Sequence, residues 1–163
     1  MTNMVMKKLR AEVVVDAPAD DVFEFFRTMD EARYLAWHPE HISFRYVDGD
    51  RIDTGTRAYF EEEIGDEYVE STVRYTEVRR PAYIEFRDES RFTRFFNPKN
   101  TFRFEPVDGG TRVVAAIYLR IGPLERLSST VRHEVNEVRR HMREEGENLQ
   151  LLIEADEATP EAT

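Results

Sequence analysis

The sequence predicts an α+β fold in which a curved antiparallel sheet of about six to seven strands surrounds one long C-terminal helix. Three observations support this prediction. A strand followed by short helices opens the chain, turn-separated strand segments fill its middle, and a polar segment with helical periodicity ends it. Because the sheet and the helix each need an apolar surface covered, the helix should cross the concave face, leaving a ligand space between them.

The first elements are a strand and short helices. The run KLRAEVVV, Lys8 to Val15, predicts a strand, and Asp16-Ala-Pro18 ends it and starts a helix. Apolar residues then recur at helical spacing, at Val22, Phe23, Phe26 and Met29. We expect one short amphipathic helix with a second turn or helix after it, stopped at Trp37-His38-Pro39.

The middle of the chain alternates strand candidates with turns. The candidates are ISFRYVDG, GTRAYFEEEIG, EYVESTVRYTEV, AYIEFRDES, KNTFRFEPVDGG and TRVVAAIYLRIG. Separators such as Asp48-Gly49 and Gly65-Asp66 are typical of an antiparallel meander. Gly122-Pro123 then opens a helical segment from Leu124 to about Glu154. We expect one domain over residues 1–155 and a disordered acidic tail over 156–163.

Composition limits the partners and the chemistry. The net charge of -10 disfavours nucleic acid and anionic membranes. No run approaches the roughly 20 apolar residues that span a bilayer, so we expect a soluble, cytoplasmic protein without membrane insertion. The chain has no cysteine, so any metal must be bound by His, Asp or Glu.

Polar residues occupy core positions of the C-terminal helix. Its apolar residues recur at alternating steps of three and four, at Val131, Val135, Val138, Met142, Leu149 and Leu152. Glu145 fills the gap between Met142 and Leu149, and His141 and Asn148 face the same side. An unpartnered buried polar group costs roughly 2 to 7 kcal/mol, so Glu145 needs a partner. The alternative is an edge position, with Glu145 reaching solvent or an arginine.

A second carboxylate and two more histidines share this setting. Alternation along GTRAYFEEEIG puts Glu62 on the apolar, cavity-facing side, and a one-residue bulge would put Glu61 or Glu63 there instead. A charged edge strand that resists aggregation is the alternative. His38 and His41, in WHPEH, lie at the junction of the short helices and the sheet, beside the cavity or simply on the surface.

Together these segments predict a divalent metal site. Two imidazoles with carboxylates from separate elements suit Zn²⁺ first, or Mn²⁺ or Fe²⁺. The candidate ligands are His38, Glu62, His141 and Glu145, and the alternative or supporting residues are His41, Glu61 and Asn148. His133 and Glu137 repeat the His-x-x-x-Glu spacing and are interpreted as a surface pair or as support for the ligands.

The order of elements resembles the helix-grip fold of the START and Bet v 1-like (SRPBCC) superfamily, which includes polyketide cyclases and lipid carriers. AEVVVDAPADDVFEFF is a typical opening of that fold. Further, YLAWHPEHISF, GTRAYFEEEIG and HMREEGENL are similar to the metal-binding segments of the 2,4-diacetylphloroglucinol hydrolase family. Those enzymes cleave the carbon-carbon bond between an acyl group and a phenolic ring. By position, the resemblance implies zinc bound by His38 or His41, Glu62, His141 and Glu145.

The resulting hypothesis is metal-dependent hydrolysis of an acylated phenol or a β-diketone. Glu145 or the unligated neighbour of Glu62 would act as general base, with Tyr34 and Tyr59 as hydrogen-bond donors unless they are only packing aromatics. The expected partner is an apolar or aromatic small molecule. The cavity should be lined by Trp37, Phe60, Phe86, Phe102 and Met142.

Two other functions fit the sequence. One is a non-enzymatic carrier of an apolar ligand or lipid, whose cavity would also include Phe92, Phe95, Phe96 and Phe104. The other is a metal-free cyclase or isomerase, which needs His141 and Glu145 but not His38. FTRFFNP, interpreted as an aromatic cluster at the sheet edge, is a candidate gate or homodimer contact.

Overall fold

The computed structural model describes residues 3–158 and has the predicted α+β architecture. The strands are β1 (Val5–Val15), β2 (His41–Tyr46), β3 (Arg57–Ile64), β4 (Glu67–Arg79), β5 (Tyr83–Asp88), β6 (Lys99–Val107) and β7 (Gly110–Ile121). The helices are α1 (Ala19–Arg27), α2 (Glu31–Trp37), α3 (Arg91–Phe96) and α4 (Ser129–Ala158), with a 3-10 turn at Glu125–Leu127. The strands form one antiparallel sheet in the order β1-β7-β6-β5-β4-β3-β2.

Two short helices follow β1, as the sequence predicts. α1 follows Pro18, carries Asp20 and Asp21 in its first turn, and buries the apolar face that includes Phe23 and Phe26. α2 begins after Asp30, whose side chain accepts a hydrogen bond from the Arg33 backbone N–H. The end of α2 brings Trp37 and the histidines after it to the sheet.

The long helix α4 packs against β1 and reaches α2 and β3. Its buried side chains include Val135, Met142 and Leu149. It starts later than predicted, because a 3-10 turn occupies Glu125–Leu127, and it continues to Ala158. The predicted tail is therefore wrong over residues 156–158, which are helical; residues 159–163 lie outside the described part of the chain.

The prediction that FTRFFNP lies at the sheet edge is also wrong. This segment forms α3, which connects β5 to β6 in the middle of the sheet. Ser90 caps the helix by accepting from the Thr93 N–H. Phe92 and Phe95 remain 76% and 48% exposed.

Within residues 3–158, none of the helices combines the length and the apolar character that crossing a membrane requires.

Candidate metal centre

A cavity of about 680 Å³ lies between the concave face of the sheet and α4. Its lining includes the five predicted residues, Trp37, Phe60, Phe86, Phe102 and Met142. Three other phenylalanines predicted for a carrier cavity, Phe92, Phe95 and Phe96, belong to α3 and do not line it. Phe104 packs in the core beside Phe23 and Phe26 instead. The walls are therefore mainly apolar, and polar groups in them need an explanation.

Two carboxylates meet at the wall of this cavity. β3 pairs with β4 without a register shift, so strand alternation holds and Glu62 shares the inner face with Phe60. The irregularity lies in β2 instead, between His41 and Ser43. Glu145 approaches from α4, and both Glu62 and Glu145 line the cavity. Their side chains are only 15% and 19% exposed.

Two histidines, His41 and His141, face these carboxylates. The Nε2 atom of His41 lies 3.3 Å from Glu145 Oε2 and 3.6 Å from Glu62 Oε1. The Nε2 atom of His141 lies 3.1 Å from Glu145 Oε1 and 4.0 Å from Glu62 Oε2. Ligand atoms of His41, Glu62 and His141 all lie within 4.8 Å of one another. One small cation can contact donors from all these side chains.

The hydrogen bonds at Nδ1 orient both rings toward that point. His41 Nδ1 donates to the backbone oxygen of Tyr34 at 2.7 Å, because a carbonyl can only accept. His141 Nδ1 lies 2.9 Å from a carboxylate oxygen of Glu40. In the neutral rings each Nε2 then carries a lone pair. Both Nε2 atoms are buried and have no hydrogen-bond partner among residues 3–158.

The charges of the site favour a cation. Burial alone lowers the pKa of His141, but the adjacent carboxylate of Glu145, with Glu62 and Glu40, outweighs it and raises this pKa to about 9. Burial, and then the charge of Glu145, raise the pKa of Glu62. Burial also opposes ionisation of Glu145, yet the two imidazoles hold its pKa below the ordinary value. The cluster therefore stabilises a positive charge between its carboxylates.

His38 is close to this centre but uses both of its ring nitrogens elsewhere. Its Nδ1 accepts from the backbone N–H of Glu40 at 2.9 Å, and its Nε2 lies 2.8 Å from Glu144 Oε2. The ring is 2% exposed, and burial lowers its pKa. Of the two histidines in WHPEH, His41 is thus the one whose free nitrogen faces Glu62 and Glu145.

A charged network that the sequence interpretation missed supports the centre from behind. Arg140 donates to Glu40 at 2.8 Å and to Glu144 at 2.8 Å, and also bonds to Glu137. The hydrogen bonds that Glu40 accepts, first from Arg140 and then from the Gly65 N–H and from His141, outweigh burial and lower the pKa of Glu40 to about 2. Glu40 is therefore ionised where it holds His141. Two signals were in the sequence: the position of Glu40 between two histidines, and the i,i+4 spacing of Arg140 and Glu144.

Two aromatic side chains complete the inner wall. The Tyr34 hydroxyl donates to Glu62 Oε1 at 2.6 Å, and the ring stacks on His41 with centroids 3.9 Å apart. Burial and the charge of Glu62 raise the pKa of Tyr34, so it remains a donor. Trp37 Nε1 donates to the backbone oxygen of Glu145 at 2.9 Å. Tyr34 and Trp37 therefore fix the two carboxylate-bearing elements relative to α2.

Several predicted residues lie outside the centre. Tyr59 and Glu61 face the opposite side of the sheet, where Tyr59 donates to Glu70 and Glu61 accepts from Tyr68, so neither prediction for them holds. Asn148 does not line the cavity and makes no hydrogen bond through its side chain to the described residues. On the same helix His133 is exposed, away from the cluster.

The chain belongs to the polyketide cyclase / dehydrase and lipid transport family, whose model matches residues 6–154. This assignment agrees with the helix-grip architecture, a curved sheet around a long C-terminal helix. None of the curated proteins matches the sequence.

Solved structures show the same fold at low sequence identity. The KanY protein, solved by NMR, is 14% identical with a TM-score of 0.71, over 93% of this chain and 99% of that one. TTHA0849 from Thermus thermophilus is 19% identical with a TM-score of 0.65, over 93% and 100%. The di-domain ARO/CYC BexL from the BE-7585A biosynthetic pathway is 19% identical with a TM-score of 0.65, over 94% of this chain and 48% of that one. Similarity at this level establishes the fold alone.

Proposed function

We propose that the protein is a metal-dependent hydrolase that cleaves an acyl group from a phenol or a β-diketone-like compound. The observation that carries the proposal is the pair of buried imidazole nitrogens, His41 Nε2 and His141 Nε2, without hydrogen-bond partners within residues 3–158. Both face the carboxylates of Glu62 and Glu145. Burying such nitrogen atoms without a partner costs free energy. A cation bound by both the nitrogens and the carboxylates would remove this cost.

The donor set fits zinc. Zinc in proteins takes imidazole nitrogens and carboxylate oxygens as ligands. We assign His41, His141, Glu62 and Glu145 as the residues that would bind it, with Mn²⁺ or Fe²⁺ as alternatives for the same donors. Bound there, a divalent ion would polarise a carbonyl and lower the pKa of water from 15.7 toward about 7.

The chain's own residues supply the rest of the chemistry. A water attacks the acyl carbon while Glu145 or Glu62 accepts its proton through a carboxylate oxygen that would not be bound to the ion. The bond between the acyl carbon and the ring breaks, and its electron pair stays on the ring carbon, which takes up that proton. The products are a carboxylic acid and the deacylated ring. Apolar walls such as Phe60 and Phe86 exclude other water from the ring.

The first experiment measures metal content per chain in protein purified without chelator and without a histidine tag. Wild type should contain about one zinc or manganese ion, and His141→Ala and Glu145→Ala should contain none. His133→Ala is the matched control, since it removes an exposed histidine of the same helix with the same i,i+4 glutamate. Protein that holds metal is then assayed for cleavage of acylated phenols. Absence of metal in wild type after zinc and manganese are offered contradicts the proposal.

A second candidate is a carrier of an apolar small molecule or lipid, which the large apolar cavity favours. It predicts stoichiometric binding of an apolar ligand by metal-free protein and no loss of that binding in His141→Ala. A metal-free cyclase would retain a need for His141 and Glu145 but bind no ion. Metal content together with ligand binding separates the three.

A further inference from the structure

A second polar cluster faces the cavity, apart from the metal centre. It is built on the middle strands and on the segment after α3, from Ser71, Asp88, Asn97 and Asn100. Asp88 lies on the inner face of β5 because Ile84 and Phe86, four and two residues earlier, face inward. Polar side chains in an apolar wall point to a polar group on the ligand.

Asp88 is a fixed hydrogen-bond acceptor. It is 8% exposed. Its Oδ1 accepts from the backbone N–H of Ser90 at 2.7 Å, and its Oδ2 accepts from the Ser71 hydroxyl. A carboxylate has about four acceptor positions, so about two remain for a ligand. Its cross-strand partner, Val73, is apolar and offers no further donor.

Asn100 provides a donor close by. The hydrogen-bond pattern around Asn97 assigns its amide nitrogen to the position that lies 3.2 Å from Asn100 Oδ1, 3.0 Å from the Tyr118 carbonyl oxygen and 3.2 Å from the Lys99 carbonyl oxygen. A bond from Asn97 would use one of the two lone pairs of the Asn100 oxygen. The Asn100 Nδ2 makes no hydrogen bond to any residue that the structure describes, so its N–H groups are available to a ligand.

The spacing of the two residues fits one ligand oxygen between them. Asn100 is the cross-strand partner of Phe86, and Asp88 follows Phe86 by two residues. Such diagonal neighbours lie roughly 7–8 Å apart, and the two side chains are not hydrogen-bonded to each other, so both are near enough to contact one ligand group. An ether or carbonyl oxygen can accept a hydrogen bond from Asn100 but has no hydrogen to donate to Asp88. A hydroxyl can accept from Asn100 and donate to Asp88. We therefore infer that Asp88 and Asn100 recognise a hydroxyl group on the ligand.

The position of this pair narrows the substrate class, and this step rests on the proposed function. Glu62 pairs with Val69 and Asp88 pairs with Val73 on the intervening strand β4. The two residues are therefore separated by two strand spacings, about 10 Å, across the sheet and by four residues, about 13 Å, along it. The substrate is therefore a phenol whose acyl group meets the metal centre while a hydroxyl remote from the acyl group meets Asp88 and Asn100.

The test compares two probes that differ only in this hydroxyl, 4-hydroxyacetophenone and 4-methoxyacetophenone. Dissociation constants are measured calorimetrically on metal-free protein, at a pH where the phenol is protonated. Wild type should bind the hydroxyl compound about tenfold more tightly, since hydrogen bonds to charged groups are the stronger ones. Asp88→Asn and Asn100→Leu should each reduce this preference to about twofold or less. Asp108→Asn, the same change at an exposed hairpin turn, should keep it.

Equal affinities in wild type, no binding of the hydroxyl compound, or a preference that survives both substitutions would overturn the inference. If Asp88→Asn fails to fold, as judged by thermal unfolding, Asn100→Leu decides the question. Because these affinities are measured without metal, a failure of the proposed hydrolase would appear in metal content and not here. Conversely, Asp88→Asn should still bind about one metal ion per chain.

Discussion

Two glutamates on opposite faces of the same sheet are mostly buried. On the outer face, Glu85 accepts hydrogen bonds from Thr76 at 2.6 Å and Tyr83 at 2.8 Å, and Arg87 and Lys99 lie within 4 Å. On the inner face, Glu62 has one hydroxyl donor and two imidazole nitrogens that are not bonded to it. Both carboxylates are mostly buried, yet only Glu85 has two hydroxyl donors and two cationic neighbours.

The pKa values of the two groups follow from this difference. Burial by itself raises the pKa of Glu85, but its hydrogen bonds and cationic neighbours outweigh burial and lower it. At Glu62, burial and the nearby charge of Glu145 raise the pKa of the carboxyl group. A carboxylate whose neighbours balance its charge stabilises the fold, whereas one left short of positive charge marks a place that a cation can occupy.

The largest expected effect separates the two glutamates by their response to zinc. With free zinc about 1,000-fold above its dissociation constant, binding at the proposed centre should stabilise wild type by about 4 kcal/mol. For a chain of this size that raises Tm by roughly 10 °C. Glu62→Gln should lose most of this rise, because a charged ligand is removed, and Glu85→Gln should keep it. Thermal unfolding with and without zinc measures both; an equal loss in the two variants would refute the distinction.

The next effect compares the two histidines of WHPEH. His41→Ala removes a nitrogen that faces the carboxylates and should lower zinc affinity by more than about 100-fold, a typical upper limit for residues that only support a ligand. His38→Ala leaves those atoms in place and should lower the affinity by about 10-fold to 100-fold at most. Competition with a chromogenic chelator gives both constants. The reverse order would make His38 the ligand.

A smaller effect concerns stability without metal. Glu85→Gln should destabilise the metal-free protein by about 1–3 kcal/mol, because buried donors lose a charged acceptor. Glu62→Gln should cost less, or stabilise, because the substitution removes a charge that burial and Glu145 disfavour. Urea unfolding of the two variants beside wild type measures the difference. A larger loss in Glu62→Gln than in Glu85→Gln would contradict the comparison.

The smallest effect is in the pH dependence of the Glu85 contribution. Its pKa is lower in the folded chain than in the unfolded chain, so ionised Glu85 stabilises the fold above the unfolded value of about 4.3. The stability difference between wild type and Glu85→Gln should be complete at neutral pH. It should shrink as pH falls below about 4.3 and disappear below the folded pKa. A difference that grows on acidification would have the wrong sign.

Most of the fold was predictable because its signals are periodic. Alternation and turn residues predict the strands, and the steps of three and four predict α4. α3 was missed because a six-residue helix is too short to establish a period, and RFTRFF is ambiguous between helix and strand. The end of α4 was misjudged because the acidic residues after Glu154 suggest solvent and do not specify conformation.

The candidate site was predictable in part. Glu62, His141 and Glu145 stand out because each interrupts an apolar pattern, and the structure brings them together. The choice between His38 and His41 depends on ring orientations in the turn between α2 and β2, which no spacing encodes. Arg140 and Glu40 were missed because charged residues on a helix face and in a turn usually lie in solvent.

Trp37 has a consequence for how this protein can be observed. It is the sole tryptophan of the chain, it lines the cavity, and its indole N–H is bonded to the backbone of Glu145. Its emission therefore reports from a single place, between the apolar chamber and the carboxylate-bearing helix. A bound ring or a shift of that helix would change the intensity or wavelength of this emission. Ligand binding can therefore be followed by tryptophan fluorescence without a label.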